Sequence, residues 1–401
     1  LEARLDAAAL DRLGVPLRRY LDGAIDVRIR TLGEAFAFDT VSLAADLLDA
    51  RIEWPGGVFI KPEGEAADAE AEMQFGDDGS VMIERFSMQA DGLDAQATAR
   101  FAADGRILSA GISRLFLENY IEASGTVERP QGPDGPLAFM IEGPFFDATG
   151  LLPSLTDFSG AGGAPPPLGL TVAFDEIQVT NAIRYDNLRL DWQSSAAEGE
   201  FLTVRAGTPD GVFALDMESG PGGRREIALD APNFGEFLRL LDLYDNVEGG
   251  ALSVTGSTPP PGEDGRTEFF VESGPFTRIR MPVLARVLAA GSLPGLAALL
   301  SGDEGIAFDL LQAGVTIEDG NIGISEARAS GPSLGVTTEG TINMTQDRLA
   351  LDGVLAPSYG LNSFVGNLPI VGDALVSRPG EGVIGITFSA EGPLDQPTVI
   401  A

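Results

Sequence analysis

Apolar and polar residues alternate along most of this chain with a period of two. Within Gly331–Pro357 the apolar members of three successive pairs are Leu334 and Val336, Ile342 and Met344, and Leu349 and Leu351. Turn-forming residues such as Glu-Gly, Thr-Gln-Asp and Asp-Gly follow these pairs. The pattern predicts antiparallel hairpins with one apolar face and one polar face.

The same alternation covers residues 24–150 and resumes at Leu168. Turn signals such as Asp78-Gly79 and Asp104-Gly105 interrupt it at short intervals. Between residues 80 and 90 the period slips by one position, because Val81 and Ile83 are followed by Phe86 and Met88. This slip predicts a β-bulge.

Three segments depart from the strand pattern. Residues 1–22 have apolar residues near helical spacing and predict a leading helix, interrupted at Pro16. Asn233–Tyr244 carries an i, i+3, i+4, i+7 apolar stripe and predicts an amphipathic helix. Residues 281–301 predict two short helices divided at Gly291 and Pro294, too short to span a membrane.

A Gly/Pro-rich segment, 160–167, is either a linker between two domains or a loop between two strands. It divides the chain into an N-terminal part, 1–159, and a C-terminal part, 168–401. The predicted fold is mainly β: an elongated, twisted antiparallel sheet with a few short helices that cap or line it. Period two alone leaves an open apolar groove and an ordinary two-sheet sandwich equally open.

Composition and charge exclude several classes of function. The chain has 26 basic and 60 acidic residues and a formal net charge of −34. Such a polyanion repels nucleic acid phosphates, so no nucleic acid partner is expected. The sequence has no cysteine, which removes a thiolate nucleophile and thiolate metal sites, and no histidine, which removes the commonest general base and the commonest metal ligand.

No motif points to catalysis or to a cofactor. The acidic turns, including Asp77-Asp78-Gly79, Glu263-Asp264-Gly265 and Asp319-Gly320, lack the spacing of a calcium loop. Hairpin-turn chemistry explains them better. We therefore expect a protein that is not an enzyme and has no catalytic residue, no metal site and no cofactor.

The C-terminal part nevertheless carries a recognisable order of short motifs. They are Met281–Arg286, Gly291–Leu296, Leu300–Gly302, Gly305–Phe308, Gly331–Gly335, Glu339–Ile342, Leu351–Gly353, Leu368–Gly372 and Gly392–Pro397. In this order they resemble the AsmA-like family of Gram-negative envelope proteins, in particular its YhdP-type group. Trp54-Pro55, Lys61-Pro62 and Tyr244–Gly250 are looser matches to the same family.

The resemblance implies a periplasmic protein that is anchored to the inner membrane in its full-length form. In that family a long β-sheet curls into a groove with an apolar interior, which is thought to conduct phospholipid between the inner and outer membranes. The implied partners are phospholipid acyl chains and, through parts of a longer protein, the two membranes. The resemblance favours the groove over the sandwich.

The alternation and the resemblance together predict two sets of functional residues. The expected groove-lining residues are Leu170, Val172, Leu188, Leu190, Val315, Ile317, Ile322, Ile324, Leu334, Val336, Ile342, Met344, Leu349 and Leu351. The expected cap or plug residues are Phe234, Phe237, Leu238, Leu241, Leu284, Leu288, Leu296 and Leu299. The helix at 233–244 could close a sheet edge or gate the passage of lipid.

A second function remains open at this point. An assembly factor or scaffold for outer-membrane proteins could bind its clients by strand addition at exposed sheet edges. It would need no lipid on the apolar face. Photo-crosslinking would distinguish the two functions, because one predicts lipid on the apolar face and the other predicts protein along an edge strand.

Overall fold

A computed structural model of the protein describes residues 1–6, 9, 20–32, 40–54, 57–132, 134–151, 167–195, 199–278, 306–357, 385–394 and 397–400. The described residues form two compact units, and the chain passes from the first to the second after Ser195. Strands dominate both units, in a long, twisted sheet that is not closed. The prediction of a mainly β fold is confirmed.

The first unit contains the strands up to Ser195. They are β1 (Glu2–Asp6), β2 (Leu21–Leu32), β3 (Thr40–Asp46), β4 (Ala50–Glu53), β5 (Ile60–Lys61), β6 (Ala67–Phe75), β7 (Val81–Ala90), β8 (Leu93–Phe101), β9 (Ile107–Leu117), β10 (Ile121–Glu128), β11 (Leu137–Asp147), β12 (Leu168–Gln178) and β13 (Arg184–Ser195).

Strand order in this unit follows the chain, with one short branch. β1 pairs with β2, β2 with β3 and β3 with β6, and each strand from β6 to β13 pairs with the next. The β4–β5 hairpin is the branch, because β4 pairs with the start of β2.

One pairing corrects the expectation of a wholly antiparallel sheet. β11 and β12 are parallel, with Leu137 opposite Leu168. Parallel neighbours need a connection of about a dozen or more residues, and residues 148–167 supply that length. The Gly/Pro-rich segment belongs to this connection. Its residues 160–166 lie outside the described residues, so a domain boundary there stays a prediction.

The predicted β-bulge is confirmed. β7 and β8 shift register between Ile83 and Phe86, so that Val81, Ile83, Phe86 and Met88 share one face of the sheet. β8 and β9 shift in the same way between Gln96 and Ala97. Each bulge restores the apolar positions to one face and bends its strand.

The predicted leading helix is wrong at both of its ends. Residues 2–6 form β1, where Ala3 and Leu5 lie opposite Val27 and Ile25 of β2. Residues 21 and 22 already belong to β2. Cross-strand pairing of apolar side chains overrides the local helical spacing here. Residues 10–19 lie outside the described residues.

The second unit contains the remaining described elements. They are β14 (Gly199–Thr208), β15 (Gly211–Ser219), β16 (Arg225–Ala231), helix α1 (Phe234–Leu240), β17 (Val247–Gly249), β18 (Leu252–Thr258), β19 (Thr267–Ser273), β20 (Phe276–Arg278), β21 (Ile306–Phe308), β22 (Leu310–Glu318), β23 (Asn321–Ser330), β24 (Leu334–Asn343), β25 (Arg348–Pro357), β26 (Ile386–Pro393) and β27 (Thr398–Ile400).

Two sheets make up this unit. The large one has the order β14–β15–β16–β18–β19–β22–β23–β24–β25–β26–β27, and all its described pairings are antiparallel. The small one has the order β17–β20–β21. Residues 281–301, where two further helices are predicted, lie outside the described residues.

The helix predicted over 233–244 is confirmed as α1, in a shorter form. The side chain of Asn233 accepts a hydrogen bond from the backbone N–H of Glu236, which satisfies one free donor at the helix start. The helix ends at Leu240, and Asp242 then adopts a left-handed backbone conformation with φ of 53°. This residue turns the chain towards β17.

Candidate functional site: an apolar sheet face in each unit

Strand register places the apolar residues of the second unit on one face of its large sheet. Neighbouring strands bring Leu229 beside Val254, Val254 beside Val271, and Phe269 beside Val315. Because directly paired residues point to the same face, these pairs form continuous rows across the sheet.

The predicted lining residues of this unit lie in those rows. Their cross-strand pairs are Val315 with Ile324, Ile317 with Ile322, Ile322 with Ile342, Ile342 with Leu349, Val336 with Leu355, and Leu351 with Ala390. A bulge between Ile324 and Ala327 keeps β23 in step with its neighbours. Met344 differs, because it lies in the turn after β24 and is exposed.

Burial along these strands is uneven. Leu334 and Leu355 are fully buried at one end of the face, and Val336 is buried beside them. Ile342, Leu349 and Leu351 at the other end are only half-buried. The face therefore has a covered end and an open end on the same strands.

Helix α1 and the small sheet pack over the covered end. Phe234 of α1, Phe276 of β20 and Phe308 of β21 form a chain of rings, with centroid separations of 5.5 and 5.3 Å. All three side chains belong to the buried cluster that contains Leu334 and Leu355. We call these elements the aromatic cover.

The predicted cap residues are placed in part. Phe234 is buried, and Phe237 and Leu238 pack against the same cluster. Leu241 is the half-buried residue that follows the last helical position. Leu284, Leu288, Leu296 and Leu299 lie outside the described residues.

The first unit has an apolar face of the same kind. The predicted residues Leu170, Val172, Leu188 and Leu190 lie on it, because Val172 pairs with Leu190 and Leu188 pairs with Phe174. Parallel pairing adds Phe139 beside Leu170. Leu188 is buried, whereas Leu170, Val172 and Leu190 are half-buried.

The β4–β5 hairpin packs against one end of this face. Ala50 and Ile52 of β4, together with Phe59, belong to a buried cluster with the face residues Val27 and Leu93. The rings of Trp54 and Phe59 lie 5.4 Å apart. We call Ala50–Trp54 and Gly57–Lys61 the hairpin cover.

Ion pairs lie on the opposite face of the large sheet in each unit. Arg85 pairs with Glu72 at 2.6 Å, Arg114 with Asp94 at 2.7 Å, and Arg205 with Asp216 at 2.7 Å. All these pairs are solvent-exposed to a large extent, and each contributes little stability on its own. The two faces thus differ sharply in polarity.

The acidic turns use their carboxylates within the turns. The side chain of Asp78 accepts hydrogen bonds from Ser80, and these bonds hold the pKa of Asp78 below its ordinary value. Asp319 and Gly320 both have positive φ, 50° and 74°, as a two-residue type I′ hairpin turn requires. Turn chemistry therefore accounts for these two motifs.

Some residues on the two apolar faces are not among those that the sequence predicts. Leu355, Phe269 and Phe388 lie on the face of the second unit, and Phe139 and Ile141 lie on that of the first. Each stands in an alternating segment, so a period-two signal was present. What the sequence lacked was the register that aligns one strand with the next.

The described residues contain no group of three or more acidic side chains placed to hold a metal ion. Within the same ranges, no helix is long and apolar enough to cross a membrane. No protein-family model, no curated protein and no solved structure matches this chain. Fold and site define a mainly β protein whose sheet separates an apolar face from a polar one.

Proposed function

We propose that this chain is the periplasmic part of a non-enzymatic conduit that carries phospholipid between the inner and outer membranes. The observation that supports this most is the apolar face of the second unit, which continues across its strands and ends in half-buried Ile342, Leu349 and Leu351. A sheet buried between two layers would cover such residues fully. In the proposal, the apolar face of each unit forms the interior of a groove that holds acyl chains.

The energetics explain why a lipid needs such a surface. Each CH₂ group removed from water gains about 0.8 kcal/mol, so one acyl chain of about 16 carbons gains roughly 12 kcal/mol. A row of Leu, Ile and Val side chains offers this gain at every position along the sheet. Aromatic residues make up only 7% of the chain. Aliphatic rows of this kind provide little shape specificity, which suits a surface along which a lipid moves.

The charge of the chain suits the same role. A formal charge of −34 repels anionic headgroups at long range, so acyl chains and not headgroups would provide the attraction. The resemblance to AsmA-like envelope proteins supports the periplasmic location and the two membranes as partners.

The test is lipid retention by a charge variant on the open end of the face. We expect protein purified without detergent from a Gram-negative host to carry phospholipid in native mass spectrometry. Leu351→Arg places a charge among the half-buried apolar residues and should remove most of that lipid while the circular dichroism spectrum stays unchanged.

Ala350→Arg is the matched control. Ala350 is the neighbouring residue, is exposed, and lies on the opposite face of β25 beside Thr341. This variant should keep its lipid. Lipid-free wild-type protein, equal loss in both variants, or crosslinking in cells to protein along an edge strand in place of lipid would each contradict the proposal.

A further inference from the structure

Lys61 is the only lysine in the chain, and its side chain is buried. It lies on β5 of the hairpin cover, and its relative exposure is 2%. The other basic residues are all arginines. Among the described residues, the one buried cationic side chain therefore carries an ammonium group and not a guanidinium group.

Three backbone carbonyl groups receive the ammonium group of Lys61. Its Nζ donates to the carbonyl oxygen of Ala50 at 2.6 Å, of Pro62 at 3.0 Å and of Leu48 at 3.5 Å. Leu48 belongs to the turn after β3, Ala50 begins β4, and Pro62 follows β5. One side chain thus ties both strands of the hairpin cover to the turn that follows β3.

The geometry suits an ammonium group and not a guanidinium group. An ammonium nitrogen has three donors arranged around one point, which matches three converging carbonyl oxygens. A guanidinium group is planar and wider, and its donors point outward in a fork that suits carboxylates. Arg51, in the same hairpin, shows that use, since it pairs with Glu53 at 2.6 Å.

The charged groups that affect the pKa of Lys61 are all carboxylates. Removal from water lowers the pKa of Lys61, and the carboxylates of Glu65, Asp46, Asp49 and Glu63 oppose that change. Asp49 itself pairs with Arg4 of β1 at 2.5 Å. Of these opposing effects on the pKa of Lys61, removal from water is the larger.

We propose that Lys61 is the latch of the hairpin cover, and that only an ammonium group can close it over the apolar end of the first unit. When the latch is broken, the carbonyl groups of Ala50, Pro62 and Leu48 lose a charged donor, and the cover opens locally while the rest of the sheet stays folded. The latch does not depend on the proposed lipid function, because it concerns the local stability of one element.

The first test needs no variant. An amine-reactive acetylating reagent should modify the terminal α-amine of the expressed chain rapidly and Lys61 at least about 100-fold more slowly than in the denatured protein. The lowered pKa on its own would make the amine more reactive, so slow modification reports the closed cover. Modification of Lys61 at the denatured rate would overturn the proposal.

The second test is a reciprocal exchange of two cations within the hairpin. Lys61→Arg should speed hydrogen exchange at the amides of Ala50 and Gly64 by more than about tenfold, and it should increase binding of an apolar fluorescent dye. Both amides donate within the turns that Lys61 ties together, to Leu47 and Leu48. Amides of β24 and β25 in the second unit should exchange at unchanged rates.

Arg51→Lys is the matched control, because Arg51 is exposed and binds a carboxylate. It should leave exchange at Ala50 and Gly64 as in the wild-type protein. Wild-type exchange in Lys61→Arg would show that any cation can close the cover, and equal acceleration in both variants would show that any exchange of cations in the hairpin loosens it. Either result would overturn the latch.

Discussion

In the first unit the covered end of the apolar face lies beneath a two-stranded hairpin held by a buried ammonium group. In the second unit it lies beneath a helix and a three-stranded sheet that are joined by phenylalanine rings, one pair edge-to-face and one pair stacked. Both covers pack apolar side chains against the sheet face, but the first adds three directional hydrogen bonds from one side chain, whereas the second relies on apolar packing among its rings. The same problem, a sheet face that needs closing at one end, thus has a mixed polar and apolar solution in the first unit and an apolar solution in the second.

The difference predicts how each cover fails. A polar latch opens locally when its single donor is replaced, because little apolar area is lost with it. A packed aromatic cover has no single latch, so a substitution in it creates a cavity and lowers the stability of the whole unit. The following predictions test that contrast, beginning with the largest effect.

Phe308→Ala should cost the second unit about 3–5 kcal/mol. Phe308 is 2% exposed and stacks on Phe276, so its loss leaves a cavity in the aromatic cover. Both tryptophans, Trp54 and Trp192, lie in the first unit, so their fluorescence reports that unit and far-ultraviolet circular dichroism reports both. Denaturant titration should show an early transition by circular dichroism and an unchanged midpoint by fluorescence.

Phe270→Ala is the control for this variant. Phe270 belongs to the same unit but lies on the polar face of β19 and is 48% exposed. Its removal should change stability by no more than about 0.5 kcal/mol. Equal shifts of both probes in Phe308→Ala would mean that the two units unfold together and that the covers cannot fail separately.

Gly353→Ala should cost the second unit about 1–3 kcal/mol. A methyl group at this position would lie 2.4 Å from the carbonyl oxygen of Thr337 and 2.5 Å from Cζ of Phe388. In the first unit Gly169, the second residue of β12 and on its polar face, has no atom closer than 3.9 Å to the same position. Gly169→Ala should therefore be neutral or stabilise by roughly 0.4–1 kcal/mol.

Calorimetric or denaturant midpoints of the two glycine variants measure this difference. A destabilising Gly169→Ala would show that glycine is needed for strand curvature on both faces. A neutral Gly353→Ala would show that the ring of Phe388 can move aside. That result would mean that the buried cluster beneath the aromatic cover is less tightly packed than its buried rings indicate.

Much of the fold follows from the sequence, because period-two alternation is a local signal. The bulge in β7 could be predicted from the slip between Ile83 and Phe86, and α1 from the stripe of Phe234, Phe237 and Leu238. The parallel pairing of β11 and β12 could not be predicted, since it depends on the path of the connection and not on residues in either strand. Local helical spacing predicts a helix where β1 lies, because the residues of β2 that pair with β1 are distant in sequence.

The candidate site divides in the same way. Which residues of a strand share a face follows from alternation, and all nine predicted strand residues of the second unit lie on one face. Which end of the face is covered does not follow, because Leu334 and Ile342 look alike in sequence yet only the first is fully buried. Lys61 can be singled out in the sequence because it is the only lysine. The three carbonyl groups around it cannot be predicted in this way, because the folded structure brings them together.

The smallest predicted effect concerns the polar face, where neither cover acts. Asp216 accepts hydrogen bonds from Arg205 at 2.7 and 2.9 Å and from Thr203, and the Arg205 bonds hold the pKa of Asp216 below its ordinary value. A lowered carboxylate pKa stabilises the fold above the ordinary value, and this contribution disappears as the pH falls through the lowered pKa. Because the pair is largely exposed, we expect Asp216→Asn to cost only about 0.5 kcal/mol at neutral pH.

Denaturant titrations of the wild-type protein and of Asp216→Asn, at neutral pH and again below the lowered pKa, measure this effect. The two proteins should converge in acid, and about 1 M salt at neutral pH should reduce their difference, because salt screens an exposed pair. A difference that persists in acid would mean that the amide disturbs packing and not charge. In that case the polar face would contribute to stability through shape, as the aromatic cover does, and the contrast between the two faces would be weaker than the ion pairs indicate.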